Sequence, residues 1–339
     1  MQTERERSLE ERPSHEVVRE RLISVLEMSL GSDIMRYMHM DNVTEVMVNP
    51  DGKLWLDMEG KGFVYTGITM PEDATKRIIY SVADLSGQVI DMKQNPSLQA
   101  DIPASRLFTN CRFQAELPPI VTGPSFNIRK HSKTVYTLDD YVEQGSMTKS
   151  QCAVIRDAIL HHKNIIAAGG TASGKTTLLN AILAEISKLD ERIVTIEDTK
   201  ELKCTAQNKT ALTTQEHVGM DDLLRMTLRL SPNRIVVGEV RGKEALTLID
   251  AWSTGHRGGC STVHSDSALE TLFRLENMIA RVSVTPQQAS IARAINVIVY
   301  IAKRAARRRI EEVIAVDTWD SKAGEYITHR LDDPEELTE

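Results

Sequence analysis

From Ser14 onward the apolar positions Val18, Leu22, Val25, Leu26 and Leu30 recur every three or four residues, which predicts an amphipathic helix. Its polar side mixes Glu and Arg almost evenly, as a packing face does, whereas a membrane-surface helix is biased toward Lys and Arg. The period then changes to two. Residues 43–49 (VTEVMVN), 53–57 (KLWLD) and 62–66 (GFVYT) alternate as strands do, and Asn49-Pro50-Asp51-Gly52 is a turn sequence between the first two. A helical stretch follows Pro71, and strand-like pieces run through 112–117 (RFQAEL) and 125–130 (SFNIRK). Residues 14–130 therefore predict a small α+β N-terminal domain with a mostly antiparallel sheet, preceded by a flexible N-terminus at 1–13.

Pro118-Pro119 and Thr122-Gly123-Pro124 make loops, and residues 131–147 carry few apolar pairs, so a linker is expected there. Beyond it the pattern alternates between helix and strand. Helix 150–162 is followed by strand 164–168, a glycine-rich loop with its helix, and strand 193–197. Helix 221–230, strand 234–238, helix 243–253 and strand 260–264 continue the series. Two more helices, around 267–280 and from Thr285, precede a buried strand at 296–302. Such alternation predicts an α/β domain with a parallel-rich central sheet over 148–330. Residues 331–339 (LDDPEELTE) read as a mobile acidic tail.

Composition narrows the function classes. A chain of 339 residues is long for one domain, which agrees with the two patterns. A net charge of −7 argues against broad, sequence-independent binding to nucleic acid. No window approaches a transmembrane span and the first residues are charged, so a cytoplasmic protein is expected, with any membrane association through partners or surface contact. Cys111, Cys152, Cys204 and Cys260 are scattered with no CxxC pair, as reduced thiols are.

The strongest chemical signal is Gly169-Gly170-Thr171-Ala172-Ser173-Gly174-Lys175-Thr176, which fits GxxxxGK[ST] between a predicted strand and a predicted helix opening at Thr177. Glycines there let backbone N–H groups turn inward around phosphate oxygens, and the helix N-terminus adds positive potential. Lys175 would reach the β and γ phosphates and the Thr176 hydroxyl would complete the shell of Mg²⁺. Binding alone is not hydrolysis. Strand 234–238 ends in Glu239 and strand 193–197 ends in Glu197-Asp198, so two carboxylates could converge on one site to order Mg²⁺ or polarise water. Spacing does not decide which does which. His256 and His264 flank a third strand, where imidazole can donate to a phosphate oxygen. The four-residue spacing of His256, Cys260 and His264 would suit zinc on a helix, but Gly255, Gly258 and Gly259 disfavour one.

Four ordered segments, GGTASGKTT, VTIEDTKEL, SPNRIVVGEVRGKEA and STGHRGGCSTVHSDS, resemble the Walker A, Asp box, Walker B and His box of the secretion ATPase superfamily that powers type II secretion, type IV pili and type IV secretion. In the front domain NPSLQADIP, RFQAELPPIV and FNIRK resemble the segments that bring arginines to the nucleotide, which implies Arg112 and Arg129, with Arg106 as a third. The tetracysteine insertion, the long N-terminal extension and an AIRLVTRR-like segment are missing, so the chain looks most like the conjugative-transfer branch, the TrbB-type traffic ATPases. Ser253 and Ser265 depart from that pattern, where Asn and Ala are common.

The resemblance implies a RecA-like P-loop NTPase core, hydrolysis of ATP with Mg²⁺, a homohexamer, and closure of the front domain on the core. It also implies a place on the cytoplasmic face of the inner membrane, among the membrane components of a secretion or conjugation machine, with a coupling protein or pilin as a further partner. A pilus-retraction motor, a RecA-like nucleic-acid translocase and a non-hydrolysing scaffold are the alternatives, with a small-molecule kinase, in which the front domain has no evident place, as the weakest. The basic run 303–309 (KRAARRR) reads as a solvated loop or a subunit-contact surface ahead of a DNA or lipid site.

Overall fold

The computed structural model describes residues 15–105, 109–131, 135–215, 217–304 and 307–332. The expected flexible N-terminus at 1–13, Arg106 and the tail from 333 lie outside the described residues. The chain divides into two compact units, Met1–Lys133 and Thr134–Glu339.

In the first unit helix α1 (His15–His39) breaks at Gly31, whose φ of 71° lies in the left-handed region that glycine enters without a steric penalty. Strands β1 (Val43–Val48), β2 (Lys53–Met58) and β3 (Gly62–Thr69) form a meander, followed by α2 (Glu72–Ser86). Strands β4 (Ser97–Ile102), β5 (Cys111–Glu116) and β6 (Ser125–Lys130) complete a sheet of order β3-β2-β1-β6-β5-β4 among the described residues. All its pairings are antiparallel. Burial alternates along β5, so one face packs on the core and the other does not. The buried face holds Phe113 and Phe126, whose rings lie 5.5 Å apart, with Leu26 and Ile34 of α1 and Ile78, Ile79 and Val82 of α2 in the same core.

The second unit opens with α3 (Leu138–Glu143) and α4 (Lys149–Leu160), each started by a reciprocal capping box, Thr137 with Asp140 and Thr148 with Gln151. This corrects the extent of the expected linker. Leu138 and Tyr141 of α3 and Met147, between α3 and α4, are buried in the unit's core, so three large side chains anchor the segment although its average polarity is high. Next come β7 (Ile165–Gly169), α5 (Lys175–Ile186), β8 (Ile193–Glu197), β9 (Lys209–Thr213), α6 (Met220–Thr227), β10 (Arg234–Val240) and α7 (Glu244–Ser253). Then follow β11 (Cys260–His264), α8 (Ala268–Ile279), α9 (Gln288–Ala294), β12 (Val297–Arg304), β13 (Arg307–Asp320) and β14 (Glu325–Arg330). The sheet runs β14-β13-β12-β7-β11-β10-β8-β9 among the described residues, parallel from β12 to β9 and antiparallel at β13 and β14.

Both faces of the parallel part are covered. Ile166, Ala168 and Ile196 pack with Leu248, Leu272 and Ile291, while Ile165, Ala167 and Ile193 pack with Leu138, Ile155 and Leu179. The acidic tail also begins differently from expectation. Asp332 is buried, accepting from Gln151 Nε2 at 2.7 Å and from Arg330 Nε at 2.7 Å, so a paired carboxylate joins the core where composition suggested solvent.

Candidate functional site

Every residue of β7 is buried, and the chain leaves the sheet at its carboxyl end into the loop 170–174 before α5 begins at Lys175. A side chain at Gly169 would collide with the Ile301 carbonyl oxygen, so β12 presses on the loop's first residue and requires glycine there. Gly174 has φ 99°, and Ala172 holds a left-handed φ of 56° without being glycine. Lys175 Nζ donates to the carbonyls of Gly169 (2.9 Å) and Gly170 (2.7 Å), folded over the loop it serves. Ser173 is only 2% exposed and its hydroxyl has no hydrogen-bond partner, an orphan polar group turned in under the loop. Thr171 and Ala172 are exposed, and Thr176 and Thr177 stand half-buried in the first turn of α5. A lysine, hydroxyls and a helix N-terminus, with no carboxylate from 169 to 177, suit a polyphosphate.

The neighbouring strands deliver the other predicted side chains to the same edge of the sheet. His264, exposed, ends β11 directly opposite Gly169 in register, and the Ser265 amide donates to the Gly169 carbonyl at 3.3 Å. Glu239 lies one strand further on. It is inside β10, which continues to Val240, and its carboxylate accepts from Arg241 Nη2 at 2.5 Å. Arg241 also stands 3.7 Å from Asp198. Glu197 ends β8, adjoining Gly238, and is only 5% exposed. One of its oxygens accepts the backbone N–H groups of Glu201 and Leu202, both at 2.8 Å. Burial pushes its carboxyl up to about 7 against the opposing pull of those two amides. Asn180 of α5, which sequence reasoning missed, secures the same segment by accepting from the Lys203 amide at 2.8 Å and donating to the Glu201 carbonyl at 3.0 Å. The segment after β8 is thus stapled both to its own strand and to the helix that follows the phosphate loop.

His256 follows α7, its backbone N–H donating to the Ala251 carbonyl and its buried Nδ1 without a partner. The zinc arrangement is not formed. Cys260 opens a strand, where burial pushes its thiol up to about 12, and no group of three or more His, Cys, Asp or Glu side chains among the described residues is gathered as metal ligands. In the run 303–309 Ala305 and Ala306 lie outside the described residues, and Lys303, Arg304 and Arg307 are exposed, but the described residues stand on strands. Lys303 and Arg304 end β12, Arg307 to Arg309 begin β13, and Arg308 Nε donates to the Ala172 carbonyl of the phosphate loop at 3.3 Å. No local pattern announces that contact; it follows from the β12–β13 pairing.

In the first unit Arg112 and Arg129 face each other directly across β5 and β6. They stand in a row that crosses five strands, Asp101, Arg112, Arg129, Glu45 and Asp57, with carboxylates on both flanks. Arg129 Nε lies 3.7 Å from Glu45, and burial raises the Glu45 carboxyl while Arg129 lowers it.

Comparison with known proteins places this architecture. A profile described as "Type II/IV secretion system protein" matches residues 31–328. The chain is 41% identical over 318 residues to a probable conjugal transfer protein TrbB of Sinorhizobium fredii, covering 93% of this chain and 96% of that one. It is 43% identical over 299 residues to the conjugal transfer protein TrbB of Rhizobium radiobacter, covering 88% and 91%. Among solved structures the Legionella pneumophila ATPase DotB is similar in fold, with a TM-score of 0.60 at 18% identity over 97% of this chain and 88% of that one. No helix among the described residues is long and apolar enough to cross a membrane. The two-unit α/β architecture and the match over most of its length agree: the chain belongs to the type II/IV secretion system protein family.

Proposed function

We propose that the protein is a Mg²⁺-dependent ATP hydrolase that works as a homohexamer to drive conjugative transfer through a type IV secretion machine. The observation that carries this reading is the alignment of Gly169, His264, Glu239 and Glu197 along one edge of the parallel sheet, with Lys175 at the start of the following helix. Ligands of open α/β sheets bind at that edge. The similarity to conjugal transfer proteins over nine-tenths of the chain supports the biological setting.

In this reading the loop amides, Lys175 and the α5 N-terminus hold the β and γ phosphates, with Ser173 and Thr177 lining the cradle. Thr176, with Glu239 or Glu197, would hold Mg²⁺, which would supply charge neutralisation at the phosphates. One oxygen of each carboxylate is engaged, on Arg241 for Glu239 and on two backbone amides for Glu197, but Glu239 is half-buried where Glu197 is closed in, so Glu239 is the better placed to polarise the attacking water. His264 reports the γ-phosphate beside Gly169, and His256 supports it from the loop before β11. Water attacks the γ-phosphorus, the bond to the β–γ bridging oxygen breaks, and ADP and phosphate leave.

Arg112 and Arg129 act as a paired fork that grips phosphate oxygens when the first unit closes on the second. Hydrolysis removes the group they grip, and the ring transmits the relaxation. The protein works at the cytoplasmic face of the inner membrane through membrane components of the machine, with a coupling protein or pilin as partner.

The test is ATP turnover together with solution mass, with and without Mg·ATP, for the wild type, Lys175→Ala and Glu239→Gln. A ring that turns over ATP, with Glu239→Gln binding nucleotide but stalled, supports the motor. A ring with no turnover under any condition, membranes and partner proteins included, makes it a scaffold. Steep stimulation by DNA that fades with salt makes it a nucleic-acid translocase.

A further inference from the structure

The β12–β13 hairpin bears on the phosphate loop in two places. The Ile301 carbonyl closes off Gly169, and Arg308, paired in register with Lys303, reaches over Gly174 to donate to the Ala172 carbonyl at 3.3 Å. A side chain at Gly174 would come within 3.0 Å of Arg308 Cδ, so the arginine stem lies directly on the loop. The residue it holds is the one non-glycine of the loop with a positive φ, a conformation that neighbouring contacts must maintain. Arg308 itself stands on a braced mount. The Ile310 amide donates to the Ser146 carbonyl at 2.8 Å, Gln151 Nε2 donates to the Ile310 carbonyl at 3.3 Å, and the charge of Arg308 is felt by the buried Tyr141 phenol.

We propose that Arg308 is a positioning residue for a nucleoside polyphosphate. It pins the tip of the phosphate loop in its binding conformation and adds a second positive charge, beside that of Lys175, at the place where phosphate arrives. This rests on the nucleotide-binding reading of the same loop. A pinned loop binds ground state and transition state alike, so its loss raises KM and Kd and leaves kcat nearly unchanged. Arg304, exposed and paired with Glu311 at 3.0 Å on the same hairpin, has no such role.

The test measures Kd for ATP and ADP by fluorescent-nucleotide displacement, and the turnover KM and kcat, in the full-length protein. Arg308→Ala is expected to weaken ATP about tenfold with kcat within about twofold, Arg308→Lys to recover most of that loss, and Arg304→Ala to match the wild type. Arg308→Gln keeps the length and a donor but drops the charge. It separates the two contributions and stands in for the alanine variant if that one unfolds. ATP affinity within twofold of wild type in both Arg308→Ala and Arg308→Gln overturns the proposal, as does an equal loss in Arg304→Ala, which would make the effect one of general surface charge. A wild type that binds no nucleotide overturns the ATPase reading instead.

Discussion

In the antiparallel sheet of the first unit Arg112 and Arg129 sit in mid-strand, whereas in the parallel sheet of the second unit the candidate chemistry of Gly169, His264 and Glu197 sits where strands end. The difference follows from burial. Strands β7 and β8 are covered on both faces at every position, so a charged side chain has room only at their tips. Strand β5 alternates, and its open face can carry a row of charges from one edge of the sheet toward the other. A parallel sheet makes a point-like site at its edge; an antiparallel sheet with one open face makes a broad charged platform. Glu239 is the intermediate case, half-buried and one residue inside the end of β10, where that strand loses its register with β11.

That contrast can be tested by substitutions on either side of it. The largest effect is expected from Lys175→Ala, which should lower ATP turnover by about a thousandfold while the unfolding midpoint in urea stays near that of wild type. Equal loss of stability and activity would mean that the strand end is a structural element.

Ile166→Ala, in the fully buried interior of β7, should cost about 3 kcal/mol of stability by chemical denaturation, as large-to-small core changes do. A cost below about 1 kcal/mol would show that the parallel core is not packed as described.

Glu197 gives a dependence on pH. Its carboxyl has been raised from 4.5 to about 7 by burial, so the folded state binds its proton more tightly than the unfolded chain does. The stability this contributes is fully present below about pH 4.5 and is lost as pH rises through about 7, a change of at most about 3 kcal/mol. Glu197→Gln should remove that step from a plot of unfolding free energy against pH. A variant whose plot parallels that of wild type from pH 5 to 8 would place the titration elsewhere.

The smallest effect belongs to the platform. Arg129→Ala should leave stability within about 0.5 kcal/mol, because the Arg129 side chain is exposed and stands 3.7 Å from Glu45, yet reduce turnover of the assembled ring about tenfold. Normal turnover would remove the arginine fork from the mechanism and leave the row of charges as a surface feature.

Much of the fold was legible because it is written in local periods. The strands at 43–48, 53–58 and 193–197 and the loop at 169–176 each carry their pattern within a few residues. The strands that escaped notice have mixed compositions. β9 (KTALT) is an edge strand with no fully buried residue, and β13 begins with three arginines and two glutamates ahead of its apolar run at 313–316. The expected linker is too long because the capping box at Thr137 starts a helix inside a polar stretch.

By itself the sequence determined the glycine-rich loop at 169–176, the alternation that builds a parallel sheet around it, and the candidate residues at strand ends, since each depends on neighbours within one turn or one strand. Only the tertiary structure decided that Arg112 opposes Arg129, that Glu197 is clipped by Glu201 and Leu202, and that Arg308 comes to rest on Ala172. Those facts depend on strand register and on how a loop folds back over its own strand. The physical reason is that a charged side chain has no periodic signature of its own: what it does is set by the partner that long-range packing brings to it.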